Sequence, residues 1–312
     1  MFLGFQSDTG PLARLVVKHV RDAFVSEAKI DAEWRSLGYT ARPDLARAID
    51  QYDAFVAAIR QLAPEVEIDF LEADGTTTLD SLYPRDAAIA TSKGMVLCNM
   101  GKPARAGEPA AEGQLFSQAD IPVCGAISGA GHIEGGDVAW IDEHTLAVGR
   151  GYRTNEEGIR QLRALLGDAA EIVRVPMPHY RGPGDVFHLM SILSPIDRDL
   201  ALVYSPLMVV PFREILLERG IGLVEVPDEE FDSMGCNVLA VAPRKCVMID
   251  GNPVTRRRLE EAGCEVVAID GSEICSKGAG GPTCLTRPIL RQCEDVAGTG
   301  TARSAGTPQP AA

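Results

Sequence analysis

Several features are scarce in this chain of 312 residues, and each scarcity removes a class of function. No stretch approaches the ~18 consecutive apolar residues of a membrane-spanning helix, so an integral membrane protein is not expected. No block of lysines and arginines occurs, and 44 acidic against 30 basic residues give a formal charge of −14. A chain with that balance is a poor candidate for nucleic acid or an anionic membrane surface, and is compatible with a cationic small molecule. The start, Met1-Phe2-Leu3-Gly4-Phe5-Gln6, lacks a basic segment followed by a secretory apolar run, and a cytoplasmic location is the expectation. The eight cysteines contain no CxxC pair and the five histidines no HxxxH spacing, so neither a metal nor another cofactor is expected. In a reducing compartment such cysteines are free thiols, mostly core filler, with room for one reactive exception.

What the chain does have is 46% hydrophobic residues, enough for one large core or two ordinary domains. Residues 10–20 read as an opening strand. From Pro43 to Leu62 the apolar residues Leu45, Ile49, Tyr52, Phe55 and Ile59 recur at helical spacing, and Glu65 to Leu71 is a short β-type run. A unit then repeats: a short apolar strand, a polar turn, a second apolar strand and, in the later copies, an amphipathic helix. The copies are Ala87–Ala90 with Met95–Cys98, Asp137–Ile141 with Thr145–Gly149, Met190–Leu193 with Leu200–Tyr204, and Asn237–Val241 with Cys246–Ile249. Helices are expected from Asn155, Pro211 and about Val254.

A period of roughly 50 residues predicts an α/β fold built as a closed propeller of strand-strand-helix units. The hairpin inside each unit argues against the open doubly wound sheet that strand–helix alternation also allows. Residues 10–71 and 264–290 are expected to form the split last unit that closes the ring. Residues 1–291 are thus expected to form a single α/β propeller domain, with 292–312 a disordered, low-complexity tail.

In a ring, equivalent positions converge on the axis. The residues at or just before each first strand are Asp86, Glu134 with Asp137, His188, Asn237 and Cys284. Cys284 follows the segment Gly278-Ala279-Gly280-Gly281-Pro282-Thr283, a turn able to bring a thiol close to whatever binds opposite. A thiolate is a strong nucleophile, a nearby histidine can shuttle its proton, and two carboxylates can grip a planar cation. Asp86 and Glu134 are read as gripping a guanidinium, Cys284 as attacking its central carbon, and His188 as the acid and base. Ordinary structure offers an alternative for each: a buried thiol, a turn carboxylate, a core histidine, and a surface ion pair of Arg85 with Asp86. Asn237 reads as a backbone cap.

These residues resemble the guanidino-group-modifying enzymes of the pentein (five-bladed α/β propeller) fold, most closely dimethylargininase, with arginine deiminase and amidinotransferase as relatives. The resemblance runs from about Leu79 to Pro288 and rests on these segments in order: Asp80–Asp86, Met100–Glu108, Glu134–Asp137, Gly149–Asn155, and the pairs His188-Leu189 and Cys284-Leu285. It implies that Glu134 orients the histidine and substrate, that Asp86 binds the guanidinium, and that Arg105 and Arg153 hold an α-carboxylate. It further implies that Asp80 helps bind the other end of an arginine-like substrate.

Two positions point in different directions. Arginine deiminases and amidinotransferases carry an acid two residues after the histidine, where this chain has Met190, as apolar as a methylated nitrogen prefers. Dimethylargininases carry an acid before the guanidine-binding aspartate, where this chain has Arg85, the pattern of the other two. The expected activity is hydrolysis of N-methylated arginine to citrulline and an alkylamine through a covalent Cys284 thiouronium. The rivals are an arginine deiminase or dihydrolase, an amidinotransferase, and a non-catalytic propeller that binds a partner. The expected partner is the small-molecule substrate, and a homodimer is compatible with the sequence.

Overall fold

The computed structural model describes residues 7–185 and 187–292. The chain opens with strand β1 (Leu12–Val17), passes through helices α1 (Val20–Ala23), α2 (Glu27–Leu37) and α3 (Leu45–Leu62), and returns as β2 (Glu67–Phe70), parallel to β1. Four similar units follow. They are β3 (Ala88–Thr91), β4 (Gly94–Leu97), α4 (Glu108–Gln118) and β5 (Val123–Ala126); then β6 (Val138–Asp142), β7 (Thr145–Arg150), α5 (Glu156–Leu166) and β8 (Glu171–Pro176). The third has β9 (Leu193–Asp197), β10 (Leu200–Val203), α6 (Val210–Glu218) and β11 (Gly222–Glu225), with α7 (Asp228–Phe231) after it. The fourth has β12 (Leu239–Ala242), β13 (Lys245–Ile249), α8 (Pro253–Glu261) and β14 (Glu265–Ile269). Strand β15 (Arg287–Arg291) then pairs antiparallel with β1.

The result is five three-stranded sheets with one repeated topology. In each, a first strand pairs antiparallel with a second, and a helical crossover leads to a third strand parallel to the second. The crossover is required because parallel neighbours cannot be joined by a tight turn. The fifth blade obeys the same rule with its first strand, β15, supplied from the far end of the chain. First strands of neighbouring blades pack together, β15 on β3, β6 on β9 and β9 on β12.

Local chemistry sets the helix limits. Ser26, Asp44 and Asn155 accept hydrogen bonds from the N–H groups of Lys29, Arg47 and Gly158, capping α2, α3 and α5. Gly38 ends α2 in the left-handed region at φ +88°. Helix α3 buries Tyr52, Phe55, Ile59 and Leu62 against the split blade and the fourth blade. Among the described residues, no helix is long and apolar enough to cross a membrane.

The propeller expectation holds, and its details need correction. The opening strand is shorter than 10–20, because His19 leaves it to cap α1 and Lys18 turns to Asp74 at 2.8 Å. Helix α2 has no counterpart in the sequence reading, since only Ile30 and Leu37 of its residues are buried and they make no apolar stripe. Met190 and its neighbours form a 3-10 turn, Leu189–Ser191, and the strand begins only at Leu193. The first strands of the other units also start one or two residues late, because a short turn precedes β3 and β6. Residues 265–269, expected in the last unit, pair in parallel with β13 and complete the fourth blade. Beyond Gln292 the tail expected to be disordered lies outside the described residues.

A buried ion pair ties the beginning of the chain to two blades. Arg85 donates to Asp8 at 2.8 Å, and the other oxygen of Asp8 accepts the Trp140 N–H at 2.7 Å. Removing one partner of a buried pair strands a charge in a low dielectric. Asp8→Ala is therefore expected to lower the unfolding free energy by about 3–5 kcal/mol, measured by urea denaturation; a loss under about 1 kcal/mol would show that water reaches Arg85.

Candidate active site

The short turns before the first strands gather the chemistry. The 3-10 turn Pro84–Asp86 starts on a proline, whose fixed φ suits that position, and presents Asp86. The turn Gly135–Asp137 follows Glu134, and the turn Leu189–Ser191 follows His188. Gly136 is constrained by contact: a Cβ there would lie 2.5 Å from His188 Nδ1 and 2.6 Å from Asp86 Oδ1. Its N–H instead donates to Asp86 Oδ1 at 2.8 Å.

Glu134 is fully buried and is the most connected of these groups. Its carboxylate receives His188 Nε2 at 2.7 Å and Arg153 Nη1 at 3.0 Å. It also accepts the Gly101 and Lys102 N–H groups at 2.9 and 3.1 Å. Burial opposes its charge, but His188 and Arg153 outweigh burial and hold the carboxyl well below the usual range. Burial likewise pulls the His188 imidazole down, and the carboxylates of Asp86, Asp137 and Glu134 lift it to about 9. His188 is thus an imidazolium at neutral pH. Its Nε2 donates to Glu134 and its Nδ1 lies 3.9 Å from Asp86 Oδ1.

Cys284 sits at the end of the Gly-rich segment. Ala279 adopts the left-handed region at φ +59°, and the flanking glycines allow close contact. A Cβ on Gly280 would meet the Tyr83 ring at 2.4 Å, and one on Gly281 would meet Asn237 at 2.5 Å. Tyr83 in turn donates to the Ile274 carbonyl at 3.0 Å, which fixes the loop from below. Asn237 accepts the Thr283 N–H at 3.0 Å, as a backbone cap does, and also donates Nδ2 to the Cys284 sulfur at 3.3 Å. Burial and the Asp86 carboxylate push the thiol up to about 11, against the Asn237 hydrogen bond.

The remaining expected residues are close by. Asp80 pairs with Lys102 at 2.6 Å. Arg105 is buried; it donates to Asp86, to the Tyr83 carbonyl at 2.8 Å and to Glu108 through both Nε and Nη2. Arg153 and Arg105 therefore hold the carboxylates of Glu134 and Asp86. Arg85 does not pair with Asp86, which overturns the surface ion pair considered above: both are buried, and Arg85 turns to Asp8. Glu108, given no role from the sequence, braces Arg105; burial pushes its carboxyl up to about 7 despite that arginine. The three-residue spacing from Arg105 was the available signal.

Two cavities meet at the thiol, since Cys284, His188 and Ala279 line both. One, of about 50 Å³, is charged, with Asp80, Asp86, Lys102, Arg105 and Arg153 on its walls. The other, of about 130 Å³, is walled by aromatic and thioether side chains together with Asn237, and by the charged residues Arg85, Arg181, Asp185 and Asp232. Asp86, Glu134 and His188 present ligand atoms within 4.8 Å of one another, a spacing a metal could use. In this structure those atoms serve ion pairing with one another and with Arg105 and Arg153.

Five such blades, with a thiol, an imidazolium and two carboxylates at their shared end, define the class: the guanidino-group-modifying enzymes of the pentein fold. The family profile described as "N,N dimethylarginine dimethylhydrolase, eukaryotic" matches residues 22–291. The chain belongs to this dimethylarginine dimethylaminohydrolase family, whose members are hydrolases acting on guanidino C–N bonds. The uncharacterised Bacillus subtilis protein YkgA is 30% identical over 245 residues, 78% of this chain and 80% of its own length. N(G),N(G)-dimethylarginine dimethylaminohydrolase of Pseudomonas aeruginosa is 27% identical, covering 80% of this chain and 91% of that protein. Arginine deiminase of Staphylococcus haemolyticus is 25% identical, covering 88% of this chain and 80% of that protein.

Among solved structures, a cysteine-to-serine variant of the Pseudomonas aeruginosa dimethylarginine dimethylaminohydrolase with citrulline superposes at TM-score 0.72, with 23% identity, over 90% of this chain and 100% of that one. The product-bound N-terminal domain of ArgZ, a cyanobacterial arginine dihydrolase, superposes at TM-score 0.74, with 18% identity, over 89% of this chain and 97% of that one. These likenesses carry the fold.

The His188 environment makes a direct prediction. Its folded value lies above the ordinary ~6.5, so the charged ring stabilises the fold fully below that pH. That contribution fades as pH rises through about 9. In NMR the His188 ring is expected to titrate near 9 and to drop by at least about one unit in Glu134→Gln; titration at the ordinary value would refute the ion-paired geometry.

Proposed function

We propose that the protein hydrolyses N-methylated arginine to citrulline and an alkylamine. The observation that carries this reading is the division of the site around Cys284. Asp80, Asp86, Lys102, Arg105 and Arg153 line one side, and Met190 with the rings of Tyr180, Phe187 and Phe231 lies on the other, where Arg85, Arg181, Asp185 and Asp232 also reach the wall. The α-carboxylate and amino group of the substrate enter the charged compartment, where Arg105, Arg153 and Lys102 supply positive charge and Asp80 negative charge. The guanidinium lies beside Asp86, and the methylated nitrogen faces Met190 and the aromatic rings.

Burial and Asp86 raise the thiol and keep it neutral at neutral pH. A guanidinium against Asp86 offsets that carboxylate and places a positive charge beside the sulfur, so binding itself favours the thiolate. The thiol proton leaves to solvent, and Sγ adds to the guanidino carbon to give a tetrahedral adduct. Imidazolium His188, with one ring nitrogen committed to Glu134, gives a proton from the other to the departing alkylamine. The C–N bond breaks and a thiouronium remains on Cys284. Neutral His188 then takes a proton from water as the hydroxide adds to the same carbon, and collapse breaks the C–S bond, the hydroxyl proton passing to the departing sulfur, so that citrulline and the Cys284 thiol are left. Glu134 keeps the ring oriented throughout and favours the return of its proton.

Hydrolysis of unsubstituted arginine is the second reading, favoured by Arg85 at the position just before Asp86, where the arginine deiminase pattern likewise lacks an acid. Incubation with arginine and with N,N-dimethylarginine, followed by assays for ammonia, dimethylamine and ornithine, separates the two. Dimethylamine and citrulline from dimethylarginine are expected, falling below about one-thousandth in Cys284→Ala. Ammonia from arginine at the higher kcat/KM would transfer the assignment, and consumption of neither would remove it.

A further inference from the structure

The chamber beyond Cys284 is larger and more ordered than two methyl groups require. Tyr180, Phe187 and Phe231 make one aromatic wall, with ring centroids 5.4 Å apart for Tyr180 and Phe187 and 5.9 Å for Tyr180 and Phe231. Phe231 is backed by Tyr204, stacked at 3.9 Å and 13°. Buried Met190 and half-buried Met234 add to the apolar part of the lining. The volume is about 130 Å³. An apolar cavity of ~150 Å³ holds benzene, a group with three times the carbon of two methyls.

Resting on the reading of the site given above, we infer that the protein accepts N-substituents of three or more carbons, and that Met190 and Phe231 set the upper limit of size. The chemistry runs the same way. An alkylated nitrogen has surrendered N–H donors, so rings and thioethers face it without leaving a polar group unpaired. The carboxylates of the lining are Asp185 and Asp232, the latter held by Arg181, and an unsubstituted guanidine whose N–H groups face Met190 and the rings instead finds no acceptor there, a mismatch that costs more than a misfitted methylene. Aromatic faces also attract the delocalised cation itself. Arg181 donates to both oxygens of Asp232 at 2.7 Å across the chamber. Both side chains are more than half exposed, so water competes for that pair and the amine has a way out.

The test compares kcat/KM for N-methyl-, N,N-dimethyl- and N-propylarginine, reading released amine. N-propylarginine is expected within about tenfold of the dimethyl substrate. Met190→Phe and Phe231→Trp, which fill the chamber, are expected to lower the propyl-to-methyl ratio by at least about tenfold. Melting temperatures and labelling of Cys284 by a haloacetamidine verify a folded site in each variant. An enzyme that consumes the methylated substrates and rejects N-propylarginine overturns the inference alone, as does a ratio unmoved in both filled variants that pass these checks. Loss of label in both variants assigns Met190 and Phe231 to site integrity and likewise overturns their role as size limits. Consumption of none of the three substrates overturns the underlying N-alkylarginine reading.

Discussion

The carboxylate of Glu134 is the interaction on which the site depends. It is buried without exposure, and its partners come from three successive units: the Gly101 and Lys102 N–H groups from the first, Arg153 from its own, and His188 from the third. An unpaired carboxylate there would be prohibitive, and each partner contributes a charge or a donor that makes the ion tolerable. The same bonds hold the imidazole ring at one orientation and keep it protonated. Fold and reactivity are coupled through this group, because the positions it joins are brought together only when the ring of blades closes.

Around that carboxylate, steric constraints act as strongly as charge. Gly136 leaves no room for a methyl between His188 and Asp86, and Gly280 and Gly281 let Tyr83 and Asn237 press against the loop that carries Cys284. The thiol is thereby fixed where three negative centres, Asp86, Glu134 and Asp137, surround the imidazolium. Such a field disfavours a thiolate and rewards a cationic ligand, which fits the acidic balance of the chain as a whole.

The positions before the first strands were legible because the period of the hairpins located them, and their residue types had no reason to be polar in a purely structural ring. Asp86, Glu134, His188, Asn237 and Cys284 all emerge there. Helix α2 was not legible, because its buried residues are too few to make a stripe. The 3-10 turn at Met190 was not either, since an apolar string reads as strand whenever its hydrogen bonds are unknown. The third strands are half-exposed and short, and β14 joins the fourth blade through pairing that only the folded chain reveals. Glu108 and the wall of Tyr180, Phe187 and Phe231 act through contacts distant in sequence or masked by ordinary composition.

The central claim is that Cys284 becomes covalently bonded to the guanidino carbon. Acid quenching of the wild-type protein during turnover of N,N-dimethylarginine, followed by peptide mass mapping, tests it most directly. The account predicts a Cys284 peptide heavier by the mass of the substrate less dimethylamine. An unmodified Cys284 at every quench time, while citrulline accumulates, would contradict it.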